Sequence, residues 1–115
     1  QLRSLLDAGL IIAGGSDSDI TEINPWMSIH TAVNHPIPDT RVTVDEALRM
    51  YTIGGAYAVF EEKAKGSLAV GKKGDLIILD RDPYKTDPAA LKDVRVLTTI
   101  KEGNVLYDQD EVVEL

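Results

Sequence analysis

The spacing of apolar positions predicts a helix-rich first half and a strand-rich second half. Leucines within residues 2–8 indicate the last turns of a helix, and Gly9 suits the left-handed conformation at its C-terminal end. The continuous apolar run over residues 10–13 is typical of a strand buried on both faces, as in a parallel sheet. A Gly- and Asp-containing loop, residues 14–19, follows directly and would lie at the carboxyl end of that strand.

A second helix is predicted over residues 25–34. Asn24 is a good N-cap residue, and Pro25 suits the first helical position. The apolar side chains then recur at helical spacing on one face; they are Trp26, Ile29 and Val33.

Further helical structure is predicted over residues 43–60. Thr43 and Glu46 form a capping-box pattern, in which each side chain bonds the other residue's backbone amide. Gly54 and Gly55 would each cost about 1 kcal/mol relative to Ala inside a helix. Either close packing against another element or a break between two helices would account for them.

Short apolar runs separated by Gly and Asp predict strands in the second half. The strands fall at residues 75–80 and 94–100, and a turn at residues 101–104 leads into a hairpin. The polar segment over residues 61–66 ends in Gly and is typical of a connector. We therefore expect two units, residues 1–60 of α/β character and residues 61–115, mostly β.

Composition narrows the function classes. The chain has 115 residues, 43% of them hydrophobic and 27% charged, which suits one soluble domain or pieces of two. A net charge of −7 argues against binding to nucleic acid or to an anionic membrane. The chain has no cysteine, and neither a membrane-spanning run nor a signal peptide is visible. These features predict a cytoplasmic location.

The chain begins at Gln1 and runs straight into a leucine-rich segment. That pattern is typical of a cut within a helix. We therefore expect the sequence to be the C-terminal part of something larger.

Asp17 is the best candidate for chemistry. It follows a predicted buried strand and two glycines, and α/β folds place their sites in loops at the carboxyl ends of parallel strands. A carboxylate there could bind a metal ion or act as a general base. The alternative is that its side chain simply caps the next turn.

Other candidates carry weaker signals. Residues 14–16 suggest a phosphate loop but lack the Lys-Ser/Thr of a P-loop and the GxGxxG spacing. His30 and His35 are not in HxH or HExxH spacing, which favours packing, surface or helix-dipole roles over metal ligation. Asp19 and Glu22 could support a site, although surface positions are the simpler interpretation.

The order and spacing of several short motifs resemble the C-terminal part of metal-dependent amidohydrolases. The resemblance covers roughly residues 2–108 and is strongest for the amidohydrolase 3 (YtcJ-like) branch of the amidohydrolase superfamily. The matching segments are Gly15-Ser16-Asp17, Asn24-Pro25, Val42–Leu48, Lys65–Leu68, Asp75–Asp80, Asp82-Pro83 and Val96–Gly103.

The resemblance implies a fold and a site. Residues 1–60 would be the end of a (β/α)8 TIM barrel, with strand eight at residues 10–15 and helices after it. Residues 61–115 would be the C-terminal share of a small β-sandwich. Asp17 would match the aspartate at the end of strand eight, which contacts a zinc or similar divalent ion and accepts the proton of the attacking water.

The resemblance also implies what this chain lacks. The family's other ligands come from earlier strands, and catalytic zinc typically takes three protein groups plus water. We therefore expect the full-length protein to hydrolyse carbon–nitrogen bonds of small molecules with zinc or another divalent ion. We expect the 115-residue chain alone to be inactive and to bind no metal.

A non-catalytic role is the alternative hypothesis. An isolated strand exposes both edges, which favours pairing with another chain. The sequence would then be an oligomerising or binding module. In either case we expect a homo-oligomer or association with the missing part of the enzyme.

Overall fold

The computed structural model describes residues 1–18, 20 and 22–110. Asp19, Thr21 and residues 111–115 lie outside this part of the chain. The α-helices and strands of the described residues are α1 (Leu2–Asp7), α2 (Pro25–Val33), α3 (Val44–Met50), α4 (Ile53–Ala58), β1 (Leu76–Leu79), β2 (Val96–Lys101) and β3 (Asn104–Asp108). Short 3-10 helices occupy Pro38–Thr40 and Pro88–Asp93.

The predicted helix starts are confirmed by their hydrogen bonds. The Asn24 side chain accepts a bond from the Met27 amide at 3.2 Å and so caps α2. At α3, Thr43 Oγ1 accepts from the Glu46 amide at 3.1 Å, and Glu46 Oε1 accepts from the Thr43 amide at 2.9 Å. These caps satisfy amides that would otherwise lack an intrahelical partner.

The helical region over residues 43–60 is broken into two helices. The helix α3 ends at Met50, with Tyr51 as its C-cap, and α4 starts after its N-cap Thr52. Gly54 is also closely packed, because a Cβ atom there would collide with the carbonyl oxygen of Ile12. Close packing therefore accounts for Gly54, whereas the break precedes the glycine pair and Gly55 itself faces open space.

The predicted buried strand over residues 10–13 is wrong for this chain. These residues have no assigned strand structure, and Leu10 and Ile11 are 54% and 59% exposed. A β-strand is defined by hydrogen bonds to a neighbouring strand. The described residues place no strand beside this segment, so it is a connecting stretch between α1 and the Asp17 loop.

The strands form one antiparallel sheet in the order β1-β2-β3. Leu76 pairs with Ile100 across β1 and β2, and Lys101 pairs with Asn104 at the hairpin end. Both residues of the hairpin turn have positive φ, Glu102 at 50° and Gly103 at 79°. This conformation matches the twist of a tight two-residue hairpin, so the predicted hairpin is confirmed.

Both halves of the chain contribute to one hydrophobic core. Its buried members are Trp26, Ile29, Ala32, Val42, Ala47, Met50 and Val94. Leu79 of β1 and Val96 of β2 pack against this cluster, and Leu91 is fully buried nearby in the sequence. The α-helices lie before residue 60 and the strands after it. That residue 60 is also a boundary between two domains stays a prediction.

Polar contacts reinforce the packing of the second half on the helices. Asn34 Nδ2 donates to the carbonyl oxygen of Pro88 at 2.8 Å. The Tyr84 hydroxyl donates to Asp45 Oδ1 on α3 at 2.9 Å.

Within the described ranges, every helix is too short or too polar to cross a bilayer.

Candidate functional site

Asp17 lies on a sharply turned loop after the connecting stretch over residues 10–13. Its φ is +52°, in the left-handed region, and its carbonyl oxygen accepts a bond from the Ile20 amide at 3.2 Å. The side chain is exposed, and no hydrogen bond or ion pair joins its carboxylate to another described residue. Within residues 1–18, 20 and 22–110, the Asp17 carboxylate therefore has no capping partner and is accessible to a ligand.

The loop that carries Asp17 is anchored three residues upstream. The Gly14 amide donates to the carbonyl oxygen of Met50, the last residue of α3, at 2.8 Å. The Tyr51 ring lies against Gly14, and a Cβ atom there would be only 2.5 Å from Tyr51 Cε2. The end of α3 thus fixes where the loop begins.

Sequence reasoning did not identify Tyr51 and Met50 as part of this site. The available signal was the glycine content of the loop, which indicated close approach without naming its partner. The partner comes from a helix about 35 residues later in the chain, so only the tertiary structure connects them.

A cleft of about 600 Å³ adjoins the loop. Residues 12–16, part of α2 and the end of α3 contribute to its walls. Most of the lining is apolar, as with Ile12, Met27 and Met50, and the polar groups include Glu22 and Asn24. Ser16 lines this cleft, whereas Asp17, the next residue along the chain, does not.

Neither histidine is part of this site. His30 Nδ1 accepts from the Lys92 amide at 3.3 Å, and His35 Nδ1 accepts from the Ile37 amide at 3.1 Å. These bonds fit the structural roles expected for both side chains. Among the described residues, no group of three or more His, Cys, Asp or Glu side chains is arranged to hold a metal ion.

The strongest electrostatic effects occur on α3, outside the cleft. Arg3 donates to both carboxylate oxygens of Glu46 at 2.7 and 2.6 Å, which lowers the pKa of Glu46 to about 2. Arg49 and the Tyr84 hydroxyl lower the pKa of Asp45. These carboxylates already have partners, so their role is to hold α1 and the second half of the chain onto α3.

Comparison with known proteins gives a consistent result along nearly the whole chain. A family model described as "Amidohydrolase family" matches residues 1–107. The chain is 37% identical over 115 residues to an N-substituted formamide deformylase of Arthrobacter pascens, covering 94% of the chain and 21% of that protein. It is 32% identical to the putative amidohydrolase YtcJ of Bacillus subtilis, covering 93% and 22%.

A third relative and two solved structures extend the comparison. An imidazolonepropionase of Clostridium tetani is 34% identical over 111 residues. An amidohydrolase from Thermotoga maritima has a TM-score of 0.76 at 20% identity, covering 94% of this chain and 26% of that one. The guanine deaminase of E. coli also has a TM-score of 0.76, at 16% identity, covering 95% and 30%. The chain spans about a fifth to a quarter of the length of the three relatives.

Proposed function

This chain belongs to the amidohydrolase family, and we propose that it supplies the C-terminal share of a metal-dependent hydrolase acting on small-molecule carbon–nitrogen bonds. The relatives named above point to that reaction class. Within this proposal, residues 1–60 form the end of a TIM barrel and residues 61–115 part of a β-sandwich. The location in the cytoplasm stays a prediction.

The exposed carboxylate of Asp17 carries the proposal. It lies on an anchored loop, beside a mostly apolar cleft, and has no partner among the described residues. Such a group can accept a proton from the water that attacks the substrate's carbonyl carbon. It can then deliver this proton to the nitrogen as the carbon–nitrogen bond breaks, which leaves a carboxylic acid and an amine.

The donor type of Asp17 fits a divalent metal ion, but one carboxylate does not make a site. A catalytic zinc typically has three protein ligands, and the described residues offer no such group. Held by the complete set of ligands, such an ion would supply a more acidic water molecule as the nucleophile. Asp17 would add one oxygen ligand to groups from the rest of the enzyme, and the 115-residue chain alone would be inactive.

The test uses the full-length protein that carries this sequence, with zinc supplied. Release of formate from an N-substituted formamide is measured for the unmodified protein, Asp17→Asn and Asp39→Asn. Because Asn cannot take up the proton, Asp17→Asn should lower kcat by about 10²-fold or more. Asp39 is an exposed carboxylate on the 3-10 helix Pro38–Thr40 and serves as the control. Full activity in Asp17→Asn would reject the assignment of Asp17.

A non-catalytic, oligomerising module is the second candidate function. Its support is the exposed apolar surface of the 115-residue chain, which includes Leu10 and Ile11 and both outer strands of the sheet. Exposed apolar edges favour association with a second copy or with the remaining part of an enzyme. Light scattering of the purified chain distinguishes the cases, since a monomer at all concentrations would contradict self-association.

A further inference from the structure

We propose that Tyr51, acting through Gly14, is a positioning residue for Asp17. This inference rests on the proposed catalytic role of Asp17 and goes beyond it. It assigns the end of α3, which does not contact the carboxylate itself, to the placement of that carboxylate.

The backbone of Asp17 needs external support. A left-handed conformation is unfavourable at a residue with a Cβ atom, although Asp is among the residues that tolerate it best. Asp17 holds φ at +52°. Such a conformation persists where the flanking structure determines it. Contacts on both sides of Asp17 should therefore fix it.

Among the described residues, a contact downstream of Asp17 is local, whereas a contact upstream of it reaches the core. Downstream, the Ile20 amide closes a turn on the Asp17 carbonyl at 3.2 Å. Upstream, the Gly14 amide bonds the Met50 carbonyl at 2.8 Å, and Met50 is only 5% exposed within the core cluster. The stable reference point for the loop is therefore Gly14.

The Tyr51 ring covers this reference point. A Cβ atom on Gly14 would lie 2.5, 2.6 and 2.9 Å from ring atoms Cε2, Cζ and Cδ2 of Tyr51. Tyr51 itself packs against the hydrophobic core. Adding a methyl group at position 14 must therefore displace either the ring or the loop, and a shifted loop carries Asp17 with it.

The experiment uses the full-length, zinc-loaded protein with an N-substituted formamide as substrate. Gly14→Ala should lower kcat by about tenfold or more, because misplacing a catalytic group by about 1 Å costs up to about 10²-fold. KM should change little. Gly55→Ala is the control, since a Cβ atom at Gly55 meets nothing within 4 Å. Zinc content and melting temperature are measured for every variant.

Rescue experiments separate positioning from general damage. In Gly14→Ala/Tyr51→Leu, the smaller side chain makes room for the new methyl group, so kcat should return to the level of Tyr51→Leu alone. If Gly14→Ala does not fold, Tyr51→Ala and Tyr51→Phe replace it. Tyr51→Ala should lower kcat without raising KM. Tyr51→Phe keeps the ring and should have the kcat of the unmodified protein.

The outcomes distinguish this inference from the proposed function. Full activity in Asp17→Asn would reject the catalytic role of Asp17 whatever Gly14→Ala does. If Asp17→Asn is inactive but Gly14→Ala keeps the kcat of Gly55→Ala, Asp17 is catalytic and the positioning role is wrong. A kcat of Gly14→Ala/Tyr51→Leu below that of Tyr51→Leu alone would also reject the role of the ring.

Discussion

Gly54 on α4 lies directly against the carbonyl oxygen of Ile12, which occupies the space that a side chain at position 54 would need. The contact joins the connecting stretch over residues 10–13, which precedes the Asp17 loop, to α4. Together with the bond from Gly14 to Met50, it attaches this segment to the helices at two points. The segment therefore keeps its place although no neighbouring strand in the described residues supports it.

The Gly54 contact predicts opposite effects for two adjacent substitutions. Gly54→Ala would push a methyl group against the backbone of Ile12 and the carbonyl oxygen of Arg49, so it should destabilise the chain by about 1–3 kcal/mol. Gly55→Ala meets open space and should stabilise α4 by about 0.5–1 kcal/mol. Urea unfolding of the 115-residue chain measures both changes. Equal effects of the two substitutions would show that the close approach does not matter.

The ion pair between Arg3 and Glu46 predicts a pH dependence of stability. The pKa of Glu46 is lowered from 4.5 to about 2 in the folded chain, chiefly by the hydrogen bonds from Arg3. As the pH falls below 4.5, the unfolded chain takes up a proton at this group before the folded chain does. The stabilisation is therefore complete above pH 4.5 and is lost as the pH falls towards 2.

The matched variant for this prediction is Glu46→Gln. Glutamine keeps an oxygen that can accept from the Thr43 amide, so the capping interaction survives while the charge is removed. The difference in unfolding free energy between the unmodified chain and Glu46→Gln should shrink from pH 6 to pH 2. A difference that stays constant over this range would mean that the pair does not stabilise the fold. Asp45, whose pKa is also lowered, is unchanged in both proteins.

The Asn24 cap predicts a local effect at the start of α2. Its side-chain oxygen bonds the Met27 amide at 3.2 Å, and Ala would leave that amide without this partner. Asn24→Ala should cost about 1 kcal/mol in unfolding free energy, and Asn24→Asp, which keeps an acceptor, should cost less. Thermal unfolding followed by circular dichroism gives both values. An Asp variant as unstable as the Ala variant would argue against the cap.

Local features of the fold could be predicted from the sequence because their causes are local. Asn24 with Pro25, and Thr43 with Glu46, mark helix starts within four residues of chain. The hairpin at Gly103 follows from the same kind of short-range signal. In each case the side chain or turn residue acts on its own immediate backbone.

Features that depend on distant partners could not be predicted in the same way. The apolar run at residues 10–13 has the composition of a strand, but a ladder needs a neighbour that these residues cannot specify. Val94 joins the core of the helices, which the change in composition after residue 60 did not indicate. The position of Asp17 in a loop was predicted correctly, whereas its anchor at Tyr51 depends on tertiary packing.

Phe60, just after α4, gives a last prediction about backbone conformation. Its φ is +63° and its side chain is 92% exposed, so the ring contributes little packing in this chain. Phe60→Gly should raise the unfolding free energy by about 0.5–1 kcal/mol, because the relief of left-handed strain exceeds the added entropy of the unfolded state. Phe60→Ala keeps the strained Cβ atom and should stay within about 0.5 kcal/mol of the unmodified chain. Urea unfolding measures both, and a stabilisation by Ala as large as that by Gly would assign the effect to loss of the exposed ring instead.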